Sequence, residues 1–128
     1  KGDIEGALSV VKEALSEADG VRWGAVKIDG LDMKGIRELS GRVKSLHEDL
    51  AVALLGTGGG GVPFMVLSQG AAQERGVHAG DLSKELGGIV GGGGGGRPDS
   101  GQGQGSKPEA LPEALEWLTG HIQGLLGS

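Results

Sequence analysis

Eight of the ten residues from Gly87 to Gly96 are glycine, and the last six run unbroken into Arg97, Pro98 and Asp99. Glycine loses more backbone entropy on ordering than any other residue, so a run this dense persists in a fold only where bare backbone must approach something closely. The chain holds 29 glycines in 128 residues, roughly three times ordinary usage, yet its apolar positions stay periodic. That combination describes a folded glycine-rich domain and not a disordered tract. Low complexity is confined to residues 58–61 and 87–105.

The length suits one domain with a core of moderate size. With no cysteine, disulfides and thiolate chemistry are excluded and nothing calls for an oxidising compartment, so a cytoplasmic location is expected. No run approaches the ~20 apolar residues of a membrane span. A formal net charge of -5 argues against indiscriminate polyanion binding while leaving room for local basic patches. The chain opens on Lys1 inside a helical pattern, as expected of a segment from a longer polypeptide.

Across residues 3–19, Ile4, Leu8, Val11 and Leu15 repeat at spacings of 4, 3 and 4, the seam of a helix that packs on another helix. This reads as the end of a coiled-coil segment, with Ile4, Leu8, Val11 and Leu15 as candidate dimerisation residues and residues 20–128 as the globular domain. Asp3 is the expected N-cap and Gly20 the expected stop. Residues 21–29 favour a strand. Asp32 then caps a second helix along which Ile36, Leu39, Val43, Leu46 and Leu50 recur, and Lys34, Arg37, Arg42 and Lys44 make it the densest basic cluster of the chain. Those cations fit a solvated helix face first and a phosphate track second.

Two short apolar runs, 51–55 and 63–68, flank a glycine-rich turn and read as a β-hairpin. A third helix is expected over about 77–90, with Leu82, Leu86, Ile89 and Val90 inward. Ser100, Gln102 and Gln104 alternate with glycine and suggest a short edge strand. Pro108 and Pro112 open a final helix with Leu111, Leu115, Leu118, Ile122 and Leu125 on one face. The expected fold is α/β (α+β), a small mixed β-sheet packed by helices and preceded by the N-terminal helix.

The glycine run departs from the nucleotide loops it superficially suggests. A phosphate loop needs a strand before it, a GK[ST] ending and a helix after it, whereas here a helix precedes and Arg-Pro follows. Two readings stand: the glycines let a helix pass close across a sheet, or the bare backbone together with Arg97 forms a surface open to a nucleic-acid backbone or another protein. Asp99 also suits a turn in which it accepts backbone bonds or pairs with Arg97. His47, His78 and His121 sit singly on separate segments, Ser68 in VLSQG lacks the GxSxG elbow, and no carboxylate pair is placed for acid–base work, so neither a metal site nor a catalytic residue is expected.

The stretch 78–115, HAGDLSKELGGIVGGGGGGRPDSGQGQGSKPEALPEAL, resembles the C-terminal domain of alanyl-tRNA synthetase, a DHH-associated domain. That family shows an AGEL-type helix, a glycine run ending in GGGRPDMAQ and a helix with an ALPAAL-like start. Ser100 stands where the family often carries methionine, and Gly101 and Gly103 replace alanine-like positions. The same domain occurs beside DHH phosphoesterase domains, whose loop tends to run GGGH.

The resemblance implies an accessory, non-catalytic role: holding the corner of alanine-specific tRNA while activation and editing, with their ATP and zinc, take place in upstream synthetase domains. No cofactor is then expected in this segment. The nucleic-acid-binding candidates it implies are Gly91, Gly92, Gly93, Gly94, Gly95, Gly96 and Arg97, with Lys84 and Lys107 supplying charge beside them. The alternatives are a self-association module forming a homodimer without tRNA contact, and the nucleic-acid-binding domain of a DHH-type phosphoesterase.

Overall fold

The computed structural model describes residues 3–127; the outer ends of the two expected spans, residues 1–2 and 128, lie outside the described residues. The elements in chain order are α1 (Ile4–Ala14), β1 (Ser16–Ala18), β2 (Val21–Ile28), α2 (Met33–Val43), β3 (Leu50–Gly56), β4 (Val62–Gln69), α3 (Ala71–Glu74), α4 (Ala79–Ile89), β5 (Gly92–Gly96), β6 (Ser100–Gly105) and α5 (Leu111–Leu126). The six strands form one mixed sheet in the order β1-β2-β3-β4-β6-β5. Only the β2–β3 pair is parallel, which is why α2 lies between those strands as a crossover.

β3 is buried along its whole length and alternates its side chains between two cores. Ala51, Ala53 and Leu55 join Val62, Phe64 and Val66 of β4 beneath α4 and α5. Leu50, Val52 and Leu54 join Met65 and Leu67 beneath α1 and α2. The strand is apolar on both faces because both faces are covered.

Several local expectations change. The first helix stops at Ala14, and Ser16–Ala18 turn back as a strand on β2. Asp19 and Gly20, both at positive φ (55 and 87), make the two-residue hairpin turn; this Asp-Gly geometry matches strand twist and overrides the helical period. Asp3 occupies the N-cap position without a side-chain bond, whereas the Asp32 carboxylate accepts from the Gly35 N–H at 2.9 Å as expected. The second helix ends at Val43, so Leu46 lies in the following turn and Leu50 opens β3. The final helix buries Ala114 and Leu126 with Leu111, Leu118 and Ile122, leaving Leu115 and Leu125 half-buried.

The expected dimer seam is committed within the domain. Leu8 and Val11 are buried, and Ile4 and Leu15 pack against the same core with α2 and β2. A seam already covered by its own domain is not free for a second copy. The outward side of α1 carries instead Val10, 48% exposed.

Candidate nucleic-acid interface

The glycine run is itself a strand. Gly92–Gly96 forms the sheet's edge, paired antiparallel with β6, so β6 is internal and not the edge strand its own alternation suggested. Alternate positions have different neighbours. A Cβ on Gly94 would stand 2.5 Å from the Ser83 carbonyl oxygen and 3.0 Å from Phe64 Cζ, and a Cβ on Gly87 would stand 2.5 Å from the Gly93 carbonyl carbon. Gly80, Ser83 and Gly87, at spacings of 3 and 4 on α4, thus lay helix backbone directly on strand backbone. Gly101, Gly103 and Gly105 of β6 face the same way and have no room for side chains beneath α4.

The opposite face is bare. A Cβ on Gly93 or Gly95 would meet nothing within 4 Å. Gly93 pairs with Gln104 and Gly95 with Gln102, and those glutamines lie opposite Pro63 and Met65 of β4. Directly opposed residues share a sheet face, so this patch continues the side covered by α1 and α2, beyond the edge of α2. At its border an open hollow of about 490 Å³ is lined by Met33, Lys34, Pro63 and Gln104, among others.

The Arg-Pro-Asp segment closes the β5–β6 hairpin and caps a helix at once. The Arg97 N–H donates to the Ser100 carbonyl at 3.0 Å, while the Arg97 and Pro98 carbonyls accept from the Gly80 and Ala79 N–H groups at 2.8 and 2.9 Å. These are among the N–H groups a helix start leaves without partners. His78 supplies another cap, its Nδ1 accepting from the Asp81 N–H at 3.0 Å. The Arg97 side chain projects into solvent, 81% exposed, with Nε 3.7 Å from Asp99 Oδ1.

The remaining sequence candidates separate. The Lys107 side chain lies against Gly91, and its N–H donates to the Val90 carbonyl at 2.9 Å, so it stands at the far end of β5 from Arg97. Lys84 is exposed beside Asp81, Glu85 and Gly88 on the outer side of α4. Ser83, its neighbour, is the residue turned to the sheet, so Lys84 is directed away from the bare patch rather than beside it. Ser68 is buried with its hydroxyl donating to the Val77 carbonyl at 2.6 Å, a structural bond. Among the described residues no group of three or more His, Asp or Glu side chains is arranged to hold a metal ion.

Sequence reasoning missed the division of the glycines into a helix-facing and an open set, and with it Gln102 and Gln104. The alternation of glutamine with glycine over 101–105 was the available signal.

A model of the DHHA1 domain matches residues 20–124. Over 110 residues the chain is 38% identical to an alanine–tRNA ligase of Carboxydothermus hydrogenoformans, covering 86% of this chain and 12% of that protein. Over 128 residues it is 34% identical to the alanine–tRNA ligase of Bacillus subtilis, covering 98% and 14%. The chain therefore spans about an eighth of the length of these relatives. In fold it is similar to the C-Ala domain of Aquifex aeolicus alanyl-tRNA synthetase, with a TM-score of 0.72 at 21% identity over 89% of this chain and 98% of that one. It is also similar, at a TM-score of 0.56 and 17% identity, to the DHH-domain protein PF0399, over 93% of this chain and 30% of that one. On the family match, reinforced by its ligase relatives, the chain belongs to the DHHA1 domain family.

Proposed function

We propose that this domain is an accessory tRNA-binding end of an alanine–tRNA ligase, non-catalytic in itself, which lays the bare face of β5 and β6 against the tRNA while upstream domains carry out the chemistry. The observation that carries this reading is the open half of the glycines. Gly93 and Gly95 have space above them that no side chain fills, although alanine would cost less backbone entropy there. A surface kept flat in this way suits a large partner read by shape. RNA is recognised through sugar hydroxyls, phosphates and exposed base planes more than through base edges, and the peptide planes with the Gln102 and Gln104 amides offer donors and acceptors for such contacts. Such a ligase works in the cytoplasm, with tRNA and its own upstream domains as partners. Self-association, if it accompanies this role, requires a surface other than the Ile4–Leu15 seam.

The test is a titration of labelled alanine tRNA with the wild-type chain and with Gly95→Val. The branched side chain suits a strand and enters open space, so the unfolding midpoint is expected to hold while affinity falls at least tenfold. Equal affinity in the two proteins would reject this face as the contact.

A further inference from the structure

We infer that the exposed flank of α2 is the phosphate rail of the same surface, with Arg37 and Lys44 as its principal contacts and Lys34 at its entrance. The inference rests on the tRNA reading above and specifies how the RNA is held. Met33, Arg37, Ser40 and Lys44 lie at spacings of 4, 3 and 4, one stripe of a helix. Its position on the sheet is fixed at three points. The Ser40 hydroxyl, which donates to the Ile36 carbonyl at 2.8 Å, lies 3.3 Å from Met65 Sδ, Met33 lines the hollow with Gln104, and the Lys44 carbonyl accepts from Gln69 Nε2 at 2.9 Å. Met65 is the register partner of Gln102, and Gln102 of Gly95. The stripe therefore borders the bare patch along the length of β4, and its two cations stand ~10 Å apart along the helix.

Ion pairs take up several of the other basic groups. Arg42 is engaged by Glu5 at 2.9 Å, Lys27 by Asp29 and Arg75 by Asp19. Among the described residues, Lys34, Arg37 and Lys44 form no ion pair within 4.0 Å. Lys12, Arg22, Lys84 and Lys107 form none there either, so position beside the bare patch is what sets the α2 cations apart. Acids do stand nearby: Glu38 next to Arg37, Asp32 at the hollow and bonded to the Gly35 N–H, and Glu48 and Asp49 beside Lys44 in the turn before β3. On the other side of the sheet, α4 and α5 present Asp81, Glu85, Glu113 and Glu116 against Lys84 alone. α2 is thus net positive where α4 and α5 are net negative, while α1, on the same side as α2, carries Glu5 and Glu13 against Lys12. A local basic stripe in a chain of net charge -5 lets α2 attract a polyanionic partner to the bare face while the acidic side turns it away.

The experiment is the salt dependence of alanine tRNA binding to this chain, measured for wild type, the Arg37→Gln/Lys44→Gln double variant and Lys84→Gln. Each lost phosphate contact lowers the slope of log K against log salt by about 0.7–0.9, so the double variant is expected to flatten it by about 1.5 and to lose at least tenfold in affinity at low salt, with Lys84→Gln like wild type. A double variant that keeps the wild-type slope, in a preparation where Gly95→Val weakens binding, overturns the rail and leaves the RNA face standing. Equal losses in Lys84→Gln also overturn it, because the effect would then be general charge. If the wild-type chain fails to bind tRNA at low salt, the functional reading falls and the rail falls with it.

Discussion

Two adjacent glycines of α4 provide an internal control for how this domain is assembled. Replacing either by alanine in a helix interior gains up to ~1 kcal/mol from backbone entropy. Gly88 is exposed with nothing within 4 Å of its Cβ position, so Gly88→Ala is expected to stabilise the domain by about 0.5–1 kcal/mol. At Gly87 the same methyl would stand 2.5 Å from the Gly93 carbonyl carbon, 2.7 Å from its Cα and 2.8 Å from the Gly94 nitrogen. All three are backbone atoms, so no side chain can swing aside; α4 must lift from β5 by several tenths of an ångström. Overpacking of this kind costs about 1–3 kcal/mol, which outweighs the helical gain and leaves Gly87→Ala destabilised by about 1–2 kcal/mol. The two variants thus differ by about 2 kcal/mol with opposite signs. For urea slopes of about 1–3 kcal/mol per molar, their midpoints separate by roughly 1 M, readily followed by fluorescence of the buried Trp23. A Gly87→Ala midpoint equal to or above that of Gly88→Ala would refute backbone-on-backbone seating of α4.

Two further expectations bear on parts of the core. Leu8→Ala should cost about 2–5 kcal/mol by urea unfolding, because Leu8 is only 6% exposed in the core shared with α2; a loss below about 1 kcal/mol would mean that α1 is not integral to the domain. Ser68→Ala removes the side-chain donor to the Val77 carbonyl, a buried bond of 2.6 Å, and should cost about 1–3 kcal/mol, with an unchanged midpoint arguing that the carbonyl finds another donor.

The central layers were legible in the sequence because their signals are local. Asp32, with its helix period behind it, marked the start of α2, and the apolar runs around 51–55 and 63–68 marked β3 and β4. Misreadings arose where local and tertiary signals compete. The helical period ran through Leu15 toward Asp19, but the Asp-Gly pair turned the chain into a hairpin. Ile4, Leu8, Val11 and Leu15 were correctly apolar on one face, yet no sequence period distinguishes a seam that meets another chain from one that meets α2. The polyglycine strand was least legible, since strand propensity is carried by side chains and this strand has none. Its conformation is set by what lies on it, namely α4 on one side and β6 beside it. The same absence concealed which glycines face solvent, and so placed Lys84 with a surface it does not border.

The side-chain-free edge strand also has an information problem. An ordinary strand that slips by one residue turns its apolar groups outward and is penalised at once, but five successive glycines look alike after any slip. Alignment must therefore be imposed from the ends and from above. At one end the Arg97–Ser100 turn fastens the hairpin and ties it to the first N–H groups of α4; at the other, the Lys107 N–H holds the Val90 carbonyl just before the run begins. Between those clamps Gly80 and Gly87 act as notches that accept β5 at only one offset. Arg97, Pro98 and Asp99 are thus the index mark against which a featureless strand is counted, and a change in the number of glycines before them would shift every contact between α4 and the sheet.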